Sequence, residues 1–289
     1  MAPIGIITDS SASFESGDVL DTHKIEVVPL YVHFGDRMLR DGVDVDSEEL
    51  FHRMRHNHET PRVTAPSVED FEAVYQRVAS RTRDILVVTN SRRFSRTHAN
   101  ALAARKPLLG RCEIVVIDSL TTSAAQGYLV WALAKAAEEG AHIDDMVRLA
   151  RAFTLRIYSV FYVSTLDYIQ RSGLIAQTQA ILGDMLQIKP LLTMEDGELM
   201  TMEKVRTHTQ AVDRMMEFVT EFTTIERLCI LQSSARTNDR TRMLQDRLAL
   251  ELSRTNHPLL LYEPLLASLI GPDAMGMALI EDSSTSGLM

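Results

Sequence analysis

Four short apolar runs divide the first half of the chain, and helical patterns separate the later ones. The runs cover residues 4–7, 25–32, 85–88 and 114–117. Each is nearly continuous and rich in β-branched residues, which is typical of strands buried on both faces. Such strands belong to parallel sheets that helices cover on either side. The first half is therefore predicted to be a parallel α/β/α domain.

Helix signals fill the intervals between the later runs. Ser67 and Asp70 form a capping signature ahead of the apolar positions in 71–78. A second helix is predicted over 123–139, where Gly140 is a stop signal, and a third over 144–156. These helices supply the layers that a parallel sheet needs.

The pattern changes from about residue 158. Asp196 and Gly197 separate two strand-like runs, and an Asp-Gly pair in that position predicts a β-hairpin. Strand-like runs cover 160–163, 191–194, 199–205, 228–231, 259–262 and 277–280, and helical patterns cover 210–222 and 239–252. This mixture predicts a C-terminal α+β domain with a mixed sheet. We therefore expect two domains, residues 1–157 and 158–289.

Charge, hydropathy and cysteine content exclude several classes of protein. With 39 acidic against 30 basic residues the net charge is −9, which argues against a surface that neutralises nucleic-acid phosphates. No apolar stretch reaches the roughly twenty residues of a membrane span. Residues 1–8 lack a basic leader and predict a strand, not a signal peptide. Cys112 and Cys229, far apart in sequence, indicate a reducing cytoplasm without a disulfide framework.

Small polar residues follow three of the predicted parallel strands. They are Thr-Asp-Ser-Ser at 8–11, Thr-Asn-Ser at 89–91 and Asp-Ser at 118–119. Ligands of open α/β sheets lie beyond the carboxyl ends of the strands, where hydroxyls and amides can hold an anion or a polar head group. The alternative is that each residue only caps the next helix. Three such ends together favour a binding site.

The order and spacing of many short segments resemble the DegV family over nearly the whole chain. Among them are Val-Pro-Leu-Tyr-Val at 28–32, Asp-Gly at 41–42, Val-Thr-Ala-Pro-Ser at 63–67, Ser-Arg-Thr at 95–97, Ile-Lys-Pro at 188–190 and Lys-Val-Arg-Thr at 204–207. The resemblance implies a bacterial two-domain α/β protein that encloses one long-chain fatty acid without a cofactor. The carboxylate is hydrogen-bonded near the surface, and the tail lies in an apolar tunnel formed largely by the second domain. Some family members present the fatty acid to a separate fatty-acid kinase.

The resemblance also assigns the residues around the head group. Ser95 keeps the hydroxyl expected to donate to the carboxylate, and the family glycine after it is Arg96. The family threonine that binds the carboxylate is Val63, with a hydroxyl remaining at Thr64. These four residues and Thr97 are the expected ligand-binding residues. Arg96 either forms a charge-assisted contact with the carboxylate or points into solvent, and both interpretations stay open.

Two departures from the family concern the proposed kinase step. A family arginine and a family histidine, both suited to a phosphorylated head group, are Leu174 and Leu269 here. This favours lipid binding itself over the kinase-donor role, or indicates a less polar head group.

Methionines concentrate in the second half, where the resemblance implies much of the tunnel. Among the chain's fourteen are Met185, Met194, Met200, Met202, Met215 and Met216. Flexible methionine side chains suit a tunnel that accepts several chain lengths. Ordinary core packing is the alternative at each single position.

The sequence predicts a binding protein and not an enzyme, because no nucleophile elbow, Walker loop or Gly-x-Gly-x-x-Gly follows a predicted strand. The alternative is a hydrolase or phosphotransferase that acts on a small acyl or phosphorylated substrate. Its candidate groups are Asp9, Asp118, Ser10, Ser95 and Ser119. His98, the nearest base, is interpreted as a first-turn helix residue. An interaction module without an enclosed ligand is a third alternative.

A histidine cluster raises the question of a metal. His52 and His56 are four residues apart, with His58 and Glu59 beyond them. A zinc site needs three or four ligands in a fixed shell, and His58 is expected past the helix end. We therefore predict a solvated polar face and no metal.

Overall fold

The structure is a computed structural model that describes residues 4–56, 60–173, 187–252 and 257–282. Its contacts divide the chain into two compact units. Unit 1 comprises Met1–Asp46, Thr60–Leu155 and Asp196–Glu198, and unit 2 comprises Ser47–Glu59, Arg156–Glu195 and Leu199–Met289. Unit 2 thus includes a segment of the N-terminal half, and three residues of the C-terminal half belong to unit 1. The domain boundary at 157 stays a prediction.

Unit 1 contains the parallel sheet, as predicted for this α/β fold class. Its strands, in spatial order, are β2 (Glu26–Val28), β1 (Gly5–Asp9), β6 (Asp84–Thr89) and β7 (Glu113–Asp118). Every neighbouring pair is parallel, and Thr8 lies opposite Val27 on one side and Val88 on the other. The carboxyl ends of these strands therefore meet at one edge of the sheet.

The longer helices of unit 1 bury their apolar faces against this sheet. They are α3 (Val68–Ala79), α4 (Thr97–Ala103), α5 (Ser123–Glu138) and α6 (Ile143–Thr154). The single-turn helix α1 (Val19–Thr22) has no buried residue. The predicted capping box of α3 is present, since Ser67 Oγ accepts the Asp70 N–H at 3.1 Å and Asp70 Oδ2 accepts the Ser67 N–H at 2.8 Å. Phe71 and Tyr75 of α3 are fully buried in the core beside Ile7 and Val87.

The single strand predicted over 25–32 is wrong. The chain forms β2 and then β3 (Tyr31–Phe34), which pairs antiparallel with β4 (Arg37–Arg40) and β5 (Arg62–Thr64) in a separate sheet. Pro29 lies at the break and has no N–H to continue a ladder. The Leu30 N–H instead donates to Ser10 Oγ at 2.9 Å.

Unit 2 contains the predicted mixed sheet. Its strands are β8 (Ile157–Tyr162), β9 (Lys189–Glu195), β10 (Glu198–Val205), β11 (Ile225–Gln232), β12 (Leu259–Leu261) and β13 (Met275–Glu281), in the spatial order β10-β9-β8-β13-β11-β12. β11 and β12 are parallel, whereas β8 pairs antiparallel with β9 and β13. Asp196 and Gly197 both have positive φ, 47° and 84°, which fits the tight hairpin turn expected there.

Unit 2 takes one of its helices from the N-terminal half of the chain. Its helices are α2 (Ser47–His56), α7 (Asp167–Arg171), α8 (His208–Thr220), α9 (Asp239–Glu251) and α10 (Pro264–Ile270). Phe51 of α2 packs edge-on against Tyr262, with ring centroids 4.9 Å apart and both residues fully buried. Arg55 donates to the Pro272 carbonyl at 2.9 Å. The helix is therefore an integral part of the core of unit 2.

Within the described ranges, none of the helices is both long and apolar enough to cross a membrane.

Candidate functional site

The carboxylate of Asp9 joins the ends of two neighbouring strands of the parallel sheet. Asp9 is fully buried. Its Oδ2 accepts the Asn90 N–H at 2.7 Å, and its Oδ1 accepts the Ser11 N–H at 3.0 Å and the Ser11 hydroxyl. Burial raises the pKa of this carboxyl group, while the donated hydrogen bonds oppose the rise. Asp9 thus fixes the end of β1 against the start of the loop that follows β6.

Side chains around Asp9 extend this buried network to α5. Ser11 Oγ lies 2.9 Å from Gln126 Oε1, and Gln126 Nε2 donates to Thr8 Oγ1 at 3.1 Å. Thr8 Oγ1 in turn donates to the Val88 carbonyl at 2.9 Å. Because Thr8, Ser11 and Gln126 are fully buried, their polar groups hold elements of the fold together.

A second carboxylate, Asp41, lies next to this network. Ser10 Oγ donates to Asp41 Oδ2 at 2.6 Å and accepts the Leu30 N–H at 2.9 Å. Burial raises the pKa of Asp41 to about 7, and the negative charge of Asp9 adds to the rise. Ser10 is therefore engaged by Asp41 and Leu30, at the connection between β2 and β3.

Ser95 lies beside this network and is half-buried. Its Oγ donates to Asn90 Oδ1 at 2.9 Å, lies 2.8 Å from Thr97 Oγ1 and accepts the Thr97 N–H at 3.2 Å. Thr97 is fully buried and contacts Ser95, and its expected contact with the ligand stays a prediction. The side chain of Arg96 is exposed. The structure thus brings Ser95 and Thr97 together, and adds Asn90, which the sequence marked only as a polar strand end.

Val63 and Thr64 face opposite sides of β5. Thr64 lies opposite Tyr31, and its Oγ1 is 2.9 Å from His33 Nε2 on the same face. Val63 lies opposite Val32, which is fully buried. Successive side chains of a strand alternate between its faces, so Thr64 does not simply replace a threonine at position 63.

The segment that carries Val63 and Thr64 is tied to the helix that follows Ser95. Asn100 of α4 donates from Nδ2 to the Pro66 carbonyl at 2.7 Å. This bond fixes the connection between β5 and α3 to α4.

Burial lowers the pKa of His33, with the positive charge of Arg62 acting in the same direction. His33 is therefore neutral at pH 7, and its Nε2 either donates to Thr64 or accepts from it according to the tautomer.

The candidate groups of the enzyme alternative are engaged in local structure. Asp118 Oδ1 accepts the Leu120 N–H at 3.0 Å, and its Oδ2 lies 3.3 Å from Arg92 Nε. Ser119 Oγ donates to the Thr121 carbonyl at 3.1 Å. His98 Nδ1 lies 3.2 Å from Thr89 Oγ1, and burial lowers its pKa. These contacts are those of turns and strand ends.

The histidines of α2 stack on each other at the surface. The ring centroids of His52 and His56 are 4.3 Å apart, and His56 Nδ1 lies 3.0 Å from the His52 carbonyl. His58 and Glu59 lie outside the described residues. Over the parts of the chain that the structure describes, no three His, Cys, Asp or Glu residues are grouped to hold a metal ion.

The remaining predicted positions are spread over unit 2. Leu269 is half-buried on α10, and Leu174 lies outside the described residues. Met215 is fully buried in the core, whereas Met200 and Met202 are 45% and 38% exposed on β10. Met194 is half-buried on β9, Met216 is buried, and Met185 lies outside the described residues.

Two cavities lie away from the predicted head-group residues. One of about 420 Å³ in unit 1 is lined by residues that include Ile4, Lys24 and Glu138. Another of about 420 Å³ in unit 2 has Arg55 and Arg240 in its wall. Neither lining includes Ser95 or Thr64. The acyl tunnel stays a prediction.

Comparison with known proteins links the chain to one family. The family model described as "Uncharacterised protein, DegV family" matches residues 3–282. A DegV domain-containing protein of Caldanaerobacter subterraneus subsp. tengcongensis is 32% identical over 219 residues, which are 76% of this chain and 77% of the relative.

Solved structures share the fold. A fatty-acid-binding DegV family protein of Thermus thermophilus superposes with a TM-score of 0.85 at 25% identity, covering 97% of this chain and 100% of the other. The Fatty Acid Kinase (Fak) B3 protein of Streptococcus pneumoniae, loaded with linoleic acid, superposes with a TM-score of 0.79 at 20% identity, covering 97% and 100%.

Proposed function

The chain belongs to the DegV family, and from that premise we propose that it binds one long-chain fatty acid non-covalently, with the carboxylate at Ser95. The match over residues 3–282 confirms the family predicted from the sequence. The fatty-acid-binding relative from Thermus thermophilus supports the ligand class, since it shares the fold over almost all of both chains. The single observation that carries the proposal is the half-buried Ser95 hydroxyl on a set of fully buried partners.

Ser95 is the first donor to the carboxylate in this proposal. A carboxylate accepts hydrogen bonds, and a charge-assisted bond from a fixed hydroxyl is stronger than one between neutral groups. The exposed Arg96 adds a positive charge next to it. Thr97 supports Ser95 from the buried side.

Thr64 is the second proposed donor, through His33. When the neutral imidazole donates its Nε2–H to Thr64 Oγ1, the proton of Thr64 is available to the ligand. Val63, on the other face of β5 and opposite the buried Val32, does not share this contact of Thr64 with the carboxylate.

The acyl tail supplies most of the binding free energy. Each buried methylene contributes about 0.8 kcal/mol, whereas one hydrogen bond contributes about 1 kcal/mol net. Burial of a tail of about sixteen carbons is therefore sufficient for binding even though Val63 replaces the family threonine that contacts the head group. We propose that apolar side chains of the second domain, residues 158–289, form much of the tunnel.

A fatty-acid kinase is the proposed protein partner. One protein of the same fold is a Fatty Acid Kinase (Fak) B3 protein, and at 20% identity this likeness concerns the fold alone. Leu269 in place of the family histidine favours binding over phosphoryl transfer. Co-purification with a bacterial fatty-acid kinase, and phosphorylation of the bound acid, test the two steps separately.

We propose binding without catalysis. The Asp9 carboxylate already accepts three donated hydrogen bonds, and Asp118 holds the turn at Leu120, which supports structural roles for both. Turnover that is lost on mutation of Asp9 and Asp118 with the fold retained would instead support the enzyme alternative.

A cytoplasmic location is also proposed, supported by Cys112 and Cys229, which are not joined in a disulfide.

Native mass spectrometry of the freshly purified protein, followed by organic extraction, tests the proposal. We expect a mass excess that resolves into a fatty acid of roughly 14 to 18 carbons. Protein that arrives empty and takes up no added palmitate would contradict it.

A further inference from the structure

Ser95, Asn90 and Thr97 form a closed ring of hydrogen bonds, here called the Ser95 ring. Asn90 Nδ2 donates to Thr97 Oγ1 at 3.4 Å, Thr97 Oγ1 is 2.8 Å from Ser95 Oγ, and Ser95 Oγ donates to Asn90 Oδ1 at 2.9 Å. An amide oxygen only accepts, so the Ser95 proton points to Asn90 Oδ1 and the Thr97 hydroxyl supplies the hydrogen between the two hydroxyl groups. The amide thus sets the direction of the whole ring.

The ring leaves Ser95 with only its proton to offer. A serine oxygen has two lone pairs. One receives the Thr97 N–H at 3.2 Å, and the other receives the Thr97 hydroxyl at 2.8 Å. If the amide is turned over, Asn90 Nδ2 replaces the Thr97 hydroxyl as the second donor, and both lone pairs are again occupied. Towards a ligand, Ser95 is therefore a donor and not an acceptor.

Burial holds the ring in place. Asn90 and Thr97 are fully buried, and the Asn90 N–H is bound by the Asp9 carboxylate at 2.7 Å. Water does not reach the two side chains to replace the bonds of the ring. A ligand that takes the Ser95 proton must therefore offer a stronger acceptor than the one it displaces.

We propose that Asn90 and Thr97 are positioning residues that select an ionised carboxylate over an uncharged head group. This deepens the proposed function and rests on it. A carboxylate forms a charge-assisted bond, roughly twice as strong as the neutral bond that Ser95 gives up to Asn90 or Thr97. An alcohol oxygen only matches the bond it replaces, so it gains little from Ser95.

The test compares palmitate with hexadecanol, which have the same chain length and differ in the head group. Dissociation constants are measured by calorimetry on delipidated protein at pH 8, where the acid is ionised. Asn90→Asp replaces the amide donor with an acceptor that retains the Ser95 proton and adds negative charge. We expect palmitate affinity to fall at least about 30-fold while hexadecanol affinity changes less than about threefold, since 1.36 kcal/mol is tenfold.

Two further variants make the test independent of folding failures. Asn238→Asp is the matched control, because Asn238 Oδ1 caps α9 by accepting the Thr241 N–H at 2.9 Å and aspartate caps equally well. Both affinities should be unchanged. Thr97→Val keeps the N–H and removes the hydroxyl, and we expect the preference for palmitate over hexadecanol to fall about three- to tenfold.

The outcomes separate this proposal from the proposed function. If wild-type protein binds palmitate, and if Thr97→Val and any folded Asn90→Asp keep the wild-type preference for palmitate over hexadecanol, the role of the Ser95 ring is overturned. The proposed function stands in that case. Equal losses of both ligands assign the ring a purely structural role and overturn its role in selection as well. Wild-type protein that binds neither ligand overturns the proposed function, and the selection with it.

Discussion

Asp9 and Asn90 stand at the ends of neighbouring parallel strands, and the carboxylate of one accepts the main-chain N–H of the other at 2.7 Å. The side chain of Asn90 then accepts the hydroxyl of Ser95 at 2.9 Å. A buried acid at the end of the first strand is therefore two hydrogen bonds away from the proposed head-group serine. Asn90 thus connects the buried carboxylate of Asp9 with the hydroxyl of Ser95.

Replacement of Asp9 should destabilise the protein. Asp9→Ala leaves the N–H groups of Ser11 and Asn90 without their acceptor in a fully buried position. We expect the free energy of unfolding in urea to fall by about 2–4 kcal/mol. Asp246→Ala, on the exposed face of α9, is the control and should stay within about 0.5 kcal/mol of wild type. Equal effects of the two variants would refute the structural role of Asp9.

Removal of the Ser95 hydroxyl should weaken ligand retention. Ser95→Ala deletes the proposed first donor, and we expect palmitate affinity to fall about tenfold, the equivalent of 1.4 kcal/mol. Ser80→Ala removes an exposed hydroxyl that donates to the Arg77 carbonyl at 2.7 Å and serves as the control. If Ser95→Ala purifies with the same lipid at the same occupancy, the head-group assignment is wrong.

Substitution of Arg96 distinguishes the two interpretations of its role, a contact with the carboxylate and an orientation into solvent. Its side chain is exposed, and an exposed ion pair contributes at most about 1 kcal/mol. We therefore expect Arg96→Gln to change palmitate affinity less than about threefold. Arg242→Gln, exposed on α9, controls for the loss of charge. A tenfold loss that salt reduces would instead establish a direct contact with the carboxylate.

Asp41 should make stability depend on pH. Burial raises its pKa to about 7 in the folded protein, above the ordinary value of 3.8, so the folded state holds the proton more tightly than the unfolded state. Its stabilising contribution is complete below pH 4 and is lost as the pH rises to about 7.

The variant Asp41→Asn carries no such charge at any pH. Wild type should therefore lose stability relative to Asp41→Asn between pH 4.5 and pH 8, by a few kcal/mol at most as measured by urea unfolding. Histidines whose pKa is lowered by burial, such as His98, titrate in both proteins and cancel in the difference. A constant difference across this range would show that Asp41 is ionised throughout.

Gly127 should not tolerate a side chain despite its helical position. In an open helix, glycine to alanine stabilises by about 1 kcal/mol. Here an added Cβ would overlap the main-chain oxygen of Ser13, whose segment is bonded to the start of α5 through Ser123. We expect Gly127→Ala to lower the melting temperature, by roughly 5 °C or more. Gly17→Ala, with open space around it, should leave it nearly unchanged.

Much of the fold follows from local sequence patterns. The buried runs became β1, β6 and β7 because a strand covered on both faces must be apolar throughout. The small sheet escaped prediction because Arg-Met-Leu-Arg in β4 and Arg-Val-Thr in β5 carry too few apolar residues to show a period. Pro29 was the signal that separated β2 from β3.

The candidate site was predictable only where neighbours in sequence are neighbours in space. Ser95 and Thr97 meet because they are two positions apart in the chain, with only Arg96 between them. The burial of Thr97 and the bond from Ser95 to Asn90 depend on how the chain folds back after β6. The opposite orientations of Val63 and Thr64 follow from strand alternation once β5 is known as a strand.

The helix at Ser47–His56 is synthesised well before the residues of unit 2 that cover its apolar face. Its buried face, Leu50, Phe51 and Met54, leaves the ribosome long before Tyr262 exists. At 5 to 20 residues per second the interval is roughly 10 to 40 s. During that time the nascent chain displays an uncovered apolar surface, a feature that chaperones bind. A stop codon after the first unit would leave that surface uncovered permanently, so truncated products are expected to aggregate or be degraded.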